Sequence, residues 1–260
     1  MSKIMTAAQL VAKATDIAKN RPSLYVMGAF GAPASDRSRA RYTASTAHEY
    51  NLRPANKAKI LEAPDGTWFF DCVGLIKGLL WGWCGDTSAV YGGATYQANG
   101  VDDLSADGMI AKCSGVSTSF AGIVPGEAVW KSGHIGIYIG EGLAVECTPA
   151  WYDKVQITAV GNLGDVPGYS SRTWTKHGKL PWVDYSAPQP AQEPELPFTD
   201  VQEGSWYAEA VRWAYKAEIT AGTDETHFSP KGVCTRAQVV VFLFKFAKWL
   251  FKKLGLAWSE

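Results

Sequence analysis

Two residues of this chain carry side chains that together can cut an acyl bond: Cys72 supplies a thiol and His134 an imidazole. A thiol becomes a strong nucleophile when a neighbouring base removes its proton, and the same imidazole can return that proton to the leaving group. The two residues lie far apart in the sequence, in segments with different hydrophobic patterns. The pair therefore suggests a cysteine hydrolase, provided that the fold brings the two segments together.

The segment around Cys72 has the pattern of a buried helix that begins near this residue. Asp71 has a suitable side chain for an N-cap. Apolar residues then recur at intervals that are typical of a helix, namely Leu75, Ile76, Leu79 and Leu80. The free amides and the positive dipole end of a helix favour the thiolate form of a cysteine in the first turn. The alternative interpretation is that Cys72 packs in the core as a small apolar residue.

The segment that begins at His134 has the pattern of a strand that returns through a tight turn. Isoleucine alternates with other residues over 135–140, and a second apolar stretch follows at 143–147. Glu146 lies twelve residues after His134, so the two positions have the same parity on a tight hairpin and are expected to share a face. A carboxylate there would hold the imidazole in the orientation that a general base needs. The alternative is an ordinary charge at a solvent-exposed strand end.

In their order and spacing, these segments resemble the NlpC-type papain-like cell-wall peptidases. Residues 24–28 resemble the family's tyrosine-bearing segment, residues 70–75 resemble its nucleophile motif, and residues 124–140 resemble its Pro-Gly-Asp strand and histidine strand. The resemblance covers about residues 5–184. It implies an α+β class and a papain-like NlpC fold, in which helices pack on an antiparallel sheet.

The resemblance implies a catalytic role for three residues. Cys72 would attack a peptide or amide carbonyl, His134 would take and return the proton, and Glu146 would orient the imidazole. Glu146 stands where the family more often has histidine or an amide. This chemistry needs no metal or other cofactor, and the four histidines are scattered without an HExxH pattern.

The resemblance also implies contacts with the substrate. Tyr25 would bind the substrate or the oxyanion, together with the backbone amide of Cys72. Asp71 and Val73 would lie beside the substrate. Val73 departs from the family, which commonly has serine at this position, and the missing hydroxyl removes a usual substrate contact. The function of the insert at 84–120 is not predicted by the resemblance.

In this family the substrate is the stem peptide of bacterial peptidoglycan, which is usually cut after D-glutamate. The resemblance therefore implies a peptidoglycan hydrolase with a Cys-His-Glu mechanism. Two alternatives remain open. One is cleavage of the bond between muramic acid and L-alanine, and the other is a non-catalytic adaptor that binds the cell wall, which the substitution at Val73 makes conceivable.

Composition excludes some classes of partner and suggests a compartment. Lys plus Arg equals Asp plus Glu, at 25 each, so the overall charge argues against a nucleic-acid partner. Residues 36–41 are locally basic and are expected to form a solvated loop. The five well-separated cysteines do not suggest a disulfide framework.

The N-terminal segment predicts a location for the protein. Residues 1–20 have an amphipathic helical pattern without the contiguous apolar core of a signal peptide. The protein is therefore expected to be made in the cytoplasm and to act at the bacterial cell wall. A wall hydrolase without an export signal is typical of a phage or prophage endolysin.

A change of composition near residue 186 predicts two folded units. Residues 186–197 contain four prolines and no aromatic residue, which is typical of an extended spacer. The predicted organisation is a papain-like peptidase domain at 1–185, a proline-rich linker at 186–197 and a second module at 198–260. Such a linker would separate catalysis from a second activity.

The second module resembles an S-layer homology module over about residues 198–249. Ser205 and Thr235 are expected to cap two helices, the second of which is apolar on nearly all sides. Modules of this family bind secondary cell-wall polysaccharides. The resemblance gives Trp206 and Arg236 as ligand contacts, since an indole suits the apolar face of a sugar and a guanidinium suits its carboxylate. The alternative is that Trp206 lies in the core and Arg236 pairs with a neighbouring acid.

The apolar second helix of this module is expected to need a partner. A single module of this size cannot easily bury it. One hypothesis is a homo-oligomer, such as a trimer, formed by the modules of several chains. The competing hypothesis is membrane contact through lysines and aromatic residues near the end of the helix.

Overall fold

The computed structural model describes residues 3–186, 196–202, 205 and 207–254. The chain divides into two compact units, residues 1–189 and residues 190–260. The division falls within the predicted linker, of which residues 187–195 lie outside the described part. The first unit carries Cys72, His134 and Glu146, so one folded body holds all three predicted catalytic residues.

Helices and strands follow one another along the first unit. Its α-helices are α1 (Ala7–Asn20), α2 (Asp36–Thr43), α3 (Glu49–Leu52), α4 (Pro54–Glu62), α5 (Cys72–Leu80) and α6 (Ala106–Lys112), with 3-10 turns at Ala98–Gly100 and Phe120–Gly122. Its strands are β1 (Met5–Thr6), β2 (Ser23–Tyr25), β3 (Phe30–Pro33), β4 (Trp68–Phe70), β5 (Ser114–Ser117), β6 (Ala128–Lys131), β7 (His134–Gly140), β8 (Leu143–Thr148), β9 (Lys154–Val160), β10 (Ser171–Arg172), β11 (Lys176–Lys179) and β12 (Val183–Asp184).

One sheet of seven strands dominates this unit, in the order β10-β9-β8-β7-β6-β11-β5. Its neighbouring strands are antiparallel except for the parallel pair β10 and β9. A second sheet, in the order β2-β4-β3, leads directly into α5. This architecture confirms the predicted α+β class, while the more specific papain-like NlpC fold stays a prediction.

The amphipathic pattern at the N-terminus forms α1, as predicted. Thr6 and Gln9 form a capping box, in which the Gln9 amide donates to the Thr6 hydroxyl at 3.1 Å and the Thr6 amide donates to the Gln9 side chain at 2.9 Å. Leu10, Ala14 and Ile17 are fully buried on one face of the helix. This face packs on the large sheet, because α1 contacts β7 and β9.

The basic segment at 36–41 is part of a helix, so the prediction of a loop is wrong. Ser35 and Ser38 form a capping box at the start of α2, and Ser38 also donates to the carbonyl of Pro33 at 2.6 Å. Tyr42 is buried on the same helix and packs edge to face against Phe69. Local capping and one buried aromatic side chain outweigh the repulsion among the arginines of this segment.

The helix that begins at Cys72 is the central helix of the unit. All nine residues of α5 are buried, and the helix packs against β3, β7 and β8. Its close contact with β3 depends on two glycines. A Cβ on Gly74 would overlap the carbonyl oxygen of Ala29, and a Cβ on Gly78 would overlap that of Phe30. The backbone at the start of α5 therefore has no room to shift.

We expect Gly74→Ala to destabilise the protein by about 3 kcal/mol, because the new methyl group meets backbone that cannot move away. Urea unfolding followed by circular dichroism would measure the change as a lower midpoint. Gly122→Ala is the matched control, since a Cβ at Gly122 meets nothing within 4 Å. Similar midpoints for the two variants would contradict the tight packing of α5 on β3.

The described part of the second unit contains α7 (Ala208–Lys216) and α8 (Arg236–Leu254). Thr235 caps α8 as predicted, because the Gln238 amide donates to its hydroxyl at 3.2 Å. The predicted capping by Ser205 is wrong: α7 begins after Tyr207 without a side-chain cap, and the Ser205 hydroxyl donates to the carbonyl of Gln202. No residue of α8 is buried. This agrees with the expectation that a single module does not cover its apolar second helix.

Candidate active site

Cys72 lies at the first position of α5, beside a cavity of about 390 Å³. The cavity is also lined by Tyr25, Asp71 and Val73, so the fold brings together the thiol and the three predicted substrate contacts. Gly133, which precedes His134, lines the cavity as well. The side chain of Cys72 therefore lies where a ligand in this cavity would meet it.

The electrostatic surroundings of Cys72 differ from the sequence-based expectation. Burial, and to a smaller extent the negative charge of Asp71, raise the pKa of the thiol to about 12. Backbone amides, including that of Ile135, act in the opposite direction with a smaller effect. The expectation of a thiolate in the free protein is therefore wrong, because loss of hydration outweighs the hydrogen bonds from backbone amides.

We expect the alkylation of Cys72 by iodoacetamide to be slow at neutral pH and to rise about tenfold per pH unit into the alkaline range, because only the thiolate reacts. Mass spectrometry of the peptide that contains Cys72 would follow the reaction. Cys84 is exposed and serves as an internal control for reagent access. A rate that is already constant from mildly acidic pH upward would instead indicate a stable thiolate in the free protein.

His134 and Glu146 are in direct contact, in the arrangement that their parity predicts. The register of β7 and β8 pairs Ile137 with Val145, which places Glu146 diagonally across from His134 on the same face. Nε2 of His134 lies 2.6 Å from Oε2 of Glu146. The Glu146 side chain is completely buried and that of His134 is 14% exposed. Glu146 is therefore not a solvent-exposed strand-end charge.

The carboxylate of Glu146 has two further partners that sequence reasoning missed. Thr158 donates its hydroxyl proton to Oε1 at 2.6 Å, and Nε of Arg172 donates to both oxygens at 2.8 and 2.7 Å. Burial raises the pKa of Glu146, but the hydrogen bonds from His134 and Arg172 together outweigh burial, and the pKa lies below its ordinary value. Glu146 is therefore ionised, and it fixes the orientation of the imidazole.

Aromatic rings hold both Arg172 and His134. The guanidinium of Arg172 lies 4.8 Å from the ring centre of Trp151 and 5.6 Å from that of Trp174. Trp174 also stacks on His134, with ring centres 5.5 Å apart and an angle of 9° between the ring planes. These contacts restrict the imidazole to one plane. In the sequence, Arg172 and Trp174 are two residues apart, a spacing that indicates an extended segment. The spacing does not indicate which residues this segment contacts.

Among the described residues, no hydrogen bond joins the thiol of Cys72 to the imidazole of His134. In the part of the chain that the structure describes, Nδ1 of His134 has no hydrogen-bond partner, while Nε2 faces Glu146. The sulfur of Cys72 interacts with the backbone amide of Ile135, the residue next to His134. The fold thus brings the thiol to the histidine strand. Catalytic hydrogen bonds are often long in ligand-free enzymes and shorten when the substrate binds.

The substrate contacts predicted beside Cys72 have different surroundings. Both oxygens of Asp71 accept backbone amides, from Gly74 at 2.5 Å and from Gly28 at 2.7 Å, so this side chain caps α5 and fixes the adjacent loop. Val73 is buried against the core. Burial raises the pKa of Tyr25, so its phenol keeps its proton and can donate a hydrogen bond. Direct contacts of these residues with a substrate stay predictions.

The insert at 84–120 contributes one wall of the cavity, which sequence reasoning did not foresee. Its lining residues run from Asp103 to Asp107, at the start of α6. Asp103 forms an ion pair with Lys77 of α5, and the hydroxyl of Tyr96 donates to its other oxygen at 2.9 Å. Asp107 accepts the backbone amide of Gly133 at 2.9 Å. The insert is thereby fixed to both α5 and the turn before His134.

A second histidine of the first unit is unsuited to act as the base. His177 is buried, with Nδ1 against Glu127 and Nε2 2.9 Å from the carbonyl oxygen of Ser119. Both ring nitrogens are therefore engaged, whereas His134 keeps Nδ1 available. Among the described residues, no group of three or more histidine, cysteine or acidic side chains is suited to hold a metal ion.

Comparison with known families identifies the C-terminal module. Residues 197–240 match the model of the S-layer homology domain, so this part of the chain is an S-layer homology module. No curated protein matches the chain. The likeness of the first unit to the NlpC-type peptidases therefore stays a prediction, and its support comes from the residues and geometry described above.

The structure describes only one of the two residues that are predicted to contact a ligand in this module. Trp206 lies outside the described residues. Arg236 is the first residue of α8 and is exposed. No described acid forms an ion pair with the guanidinium of Arg236. An exposed guanidinium at this position is available to an anionic ligand.

Proposed function

We propose that the first unit is a cysteine hydrolase that cuts an amide bond in the stem peptide of bacterial peptidoglycan. The observation that carries this proposal is the buried network around His134, in which Glu146 holds one ring nitrogen and leaves Nδ1 available on the strand beside Cys72. The side chains of the network serve to orient an imidazole, and the nucleophile in this proposal is Cys72, whose sulfur interacts with the backbone amide next to His134. His134 differs from the buried His177, which also faces a carboxylate, because both ring nitrogens of His177 are engaged.

The reaction follows from this arrangement. When a substrate carbonyl enters the cavity, Nδ1 of His134 takes the thiol proton as the sulfur of Cys72 attacks the carbonyl carbon. The imidazolium that forms is stabilised by Glu146, and it then donates the proton to the leaving amine as the carbon–nitrogen bond breaks. A water molecule, deprotonated by the same imidazole, hydrolyses the thioester and restores the thiol. Transfer of the proton during the attack suits this thiol, because its raised pKa keeps it protonated until the substrate is bound.

The negative oxygen of the tetrahedral intermediate needs hydrogen-bond donors. The backbone amide of Cys72 lies at the N-terminus of α5, where amides have no partner within the helix. Tyr25 is the second donor in this proposal, because its phenol stays protonated beside the thiol.

The bond that is cut is proposed to be the one after D-glutamate, with the bond between muramic acid and L-alanine as the alternative within the same reaction class. Mass spectrometry of fragments from purified peptidoglycan separates the two. The first gives fragments that end in D-glutamate, and the second gives peptides that begin with L-alanine. Intact peptidoglycan after incubation with every tested wall type would contradict both.

A non-catalytic wall-binding adaptor is the second candidate function. The observations that favour it are the raised pKa of Cys72 and the absence of a hydrogen bond between Cys72 and His134 in the described structure. An adaptor would bind walls as tightly as a hydrolase but would release no fragments. The buried charge network is harder to explain for an adaptor, because ionised side chains are costly to bury without a function.

The S-layer homology module is proposed to anchor the protein to secondary cell-wall polysaccharide. Arg236 would bind a carboxylate of the polymer, and Trp206 would contact a sugar face. Anchoring raises the local concentration of peptidoglycan at the first unit, which increases the rate at low protein concentration. Together the two activities fit an endolysin of a phage or prophage, made in the cytoplasm and acting at the wall.

A further inference from the structure

Helix α8 carries a continuous apolar stripe that the described residues of its own module cover only in part. Val239, Leu243, Phe246, Leu250 and Leu254 recur at intervals of three and four, which places them on one face. Their exposed fractions run from 37% at Leu250 to 62% at Leu243 and Leu254. Trp213 of α7 contacts Phe246 and Trp249 and so covers only one side of the helix. Most of the stripe faces solvent.

The face of α8 opposite the stripe is apolar at Val241 and Phe244 and becomes cationic from Lys245 onward, and it carries no acid. Lys245, Lys248 and Lys252 recur at intervals of three and four and lie across the helix from the apolar stripe. The helix contains no Asp or Glu, and Lys253 adds a further positive charge near its end. The ammonium groups of Lys248 and Lys253 lie over the rings of Phe244 and Trp249, at 5.1 and 5.9 Å. Their alkyl stems thus lie along apolar surface while their charges point outward.

All of these lysines lie beyond residue 240, where the match to the S-layer homology domain ends. The cationic and aromatic part of α8 is therefore a feature of this chain rather than of the matched segment. None of the described helices is long and apolar enough to cross a bilayer. A helix with one apolar face and one basic face can instead lie flat in the interface of a membrane.

We propose that α8 binds the surface of an anionic lipid membrane, with its apolar stripe inserted among the acyl chains and its lysines directed at the headgroups. Charge decides between this occupant and a second copy of the chain. Packing copies of α8 through the stripe would cover the apolar residues but would leave the lysines on the outer face without any acid of α8 to neutralise them. An anionic headgroup layer neutralises the lysines and covers the apolar stripe at the same time.

The test uses the full chain and two kinds of vesicle, one of phosphatidylcholine alone and one with about 30% phosphatidylglycerol, in flotation experiments at physiological salt. The wild type is expected to partition into the anionic vesicles about tenfold or more better than into the neutral ones. Leu243→Glu combined with Leu250→Glu should lower this partitioning at least about tenfold. Replacing Lys245, Lys248 and Lys252 with glutamine should remove the preference for anionic vesicles.

Val233→Glu is the matched control, because Val233 is 96% exposed in the same unit but lies outside α8. It should bind anionic vesicles as the wild type does, and circular dichroism should show that all variants keep their helix content. Equal partitioning of the wild type and the double leucine variant would overturn the proposal, as would no flotation at all. Light scattering that shows a stable dimer or trimer, converted to a monomer by the leucine substitutions, would assign the stripe to a second copy instead.

Discussion

Alanine in place of Cys72 is expected to lower the release of dye-labelled fragments from peptidoglycan by about 10³-fold or more. The reason is that no other thiol among the residues lining the cavity can replace the nucleophile. Binding to intact walls should be unchanged, because the S-layer homology module lies in the other unit. The measurement compares initial rates on walls that differ in the chemistry of their stem peptide.

Cys84→Ala is the matched control for this experiment, because Cys84 is an exposed thiol of the same unit that does not line the cavity. Its activity should equal that of the wild type. Undiminished activity of the Cys72 variant would refute the assignment of the nucleophile. If the wild type and both variants release nothing from any wall, the adaptor function is favoured, and wall binding becomes the activity to measure.

The second large effect is expected for Arg172→Ala, which should destabilise the first unit by about 3–5 kcal/mol at neutral pH. Arg172 is 14% exposed and Glu146 is fully buried, so the substitution leaves a buried carboxylate without the guanidinium that donates to both of its oxygens. The same change should lower catalytic activity, because Glu146 would no longer hold His134 in a single orientation. Thermal and urea unfolding measure the first effect, and dye release measures the second.

The effect of Arg172→Ala should depend on pH in a defined direction. In the wild type the pKa of Glu146 is below its ordinary value of 4.5, so the network stabilises the fold above that pH and loses its contribution as the pH falls through the lowered pKa. The difference in stability between the wild type and the variant should therefore shrink on acidification. Arg37→Ala removes an exposed arginine of α2 and should change stability by less than about 0.5 kcal/mol. A constant difference at all pH values would argue against an ionised Glu146.

Several features of this protein follow from its sequence because they depend on neighbours in the chain. Asp71 caps α5 and Thr235 caps α8, since each side chain reaches an amide within its own first turn. The contact of His134 with Glu146 follows from parity on a hairpin whose strands are joined by a tight turn. Hydrophobic periodicity and hydrogen bonds between near neighbours in the chain were sufficient to predict these caps, this contact and the α+β class.

Other features depend on residues that the chain brings together only after folding. Arg172 reaches Glu146 because β10 pairs with β9, and no pattern in the sequence indicates that pairing. The insert forms a wall of the cavity because Asp103 pairs with Lys77, a contact between distant segments. The pKa of Cys72 is raised because the folded core removes its water, an effect that outweighs the hydrogen bonds from nearby backbone amides. Sequence therefore determined which groups are present and how adjacent ones are arranged, while the tertiary structure decided their burial and their distant partners, on which reactivity depends.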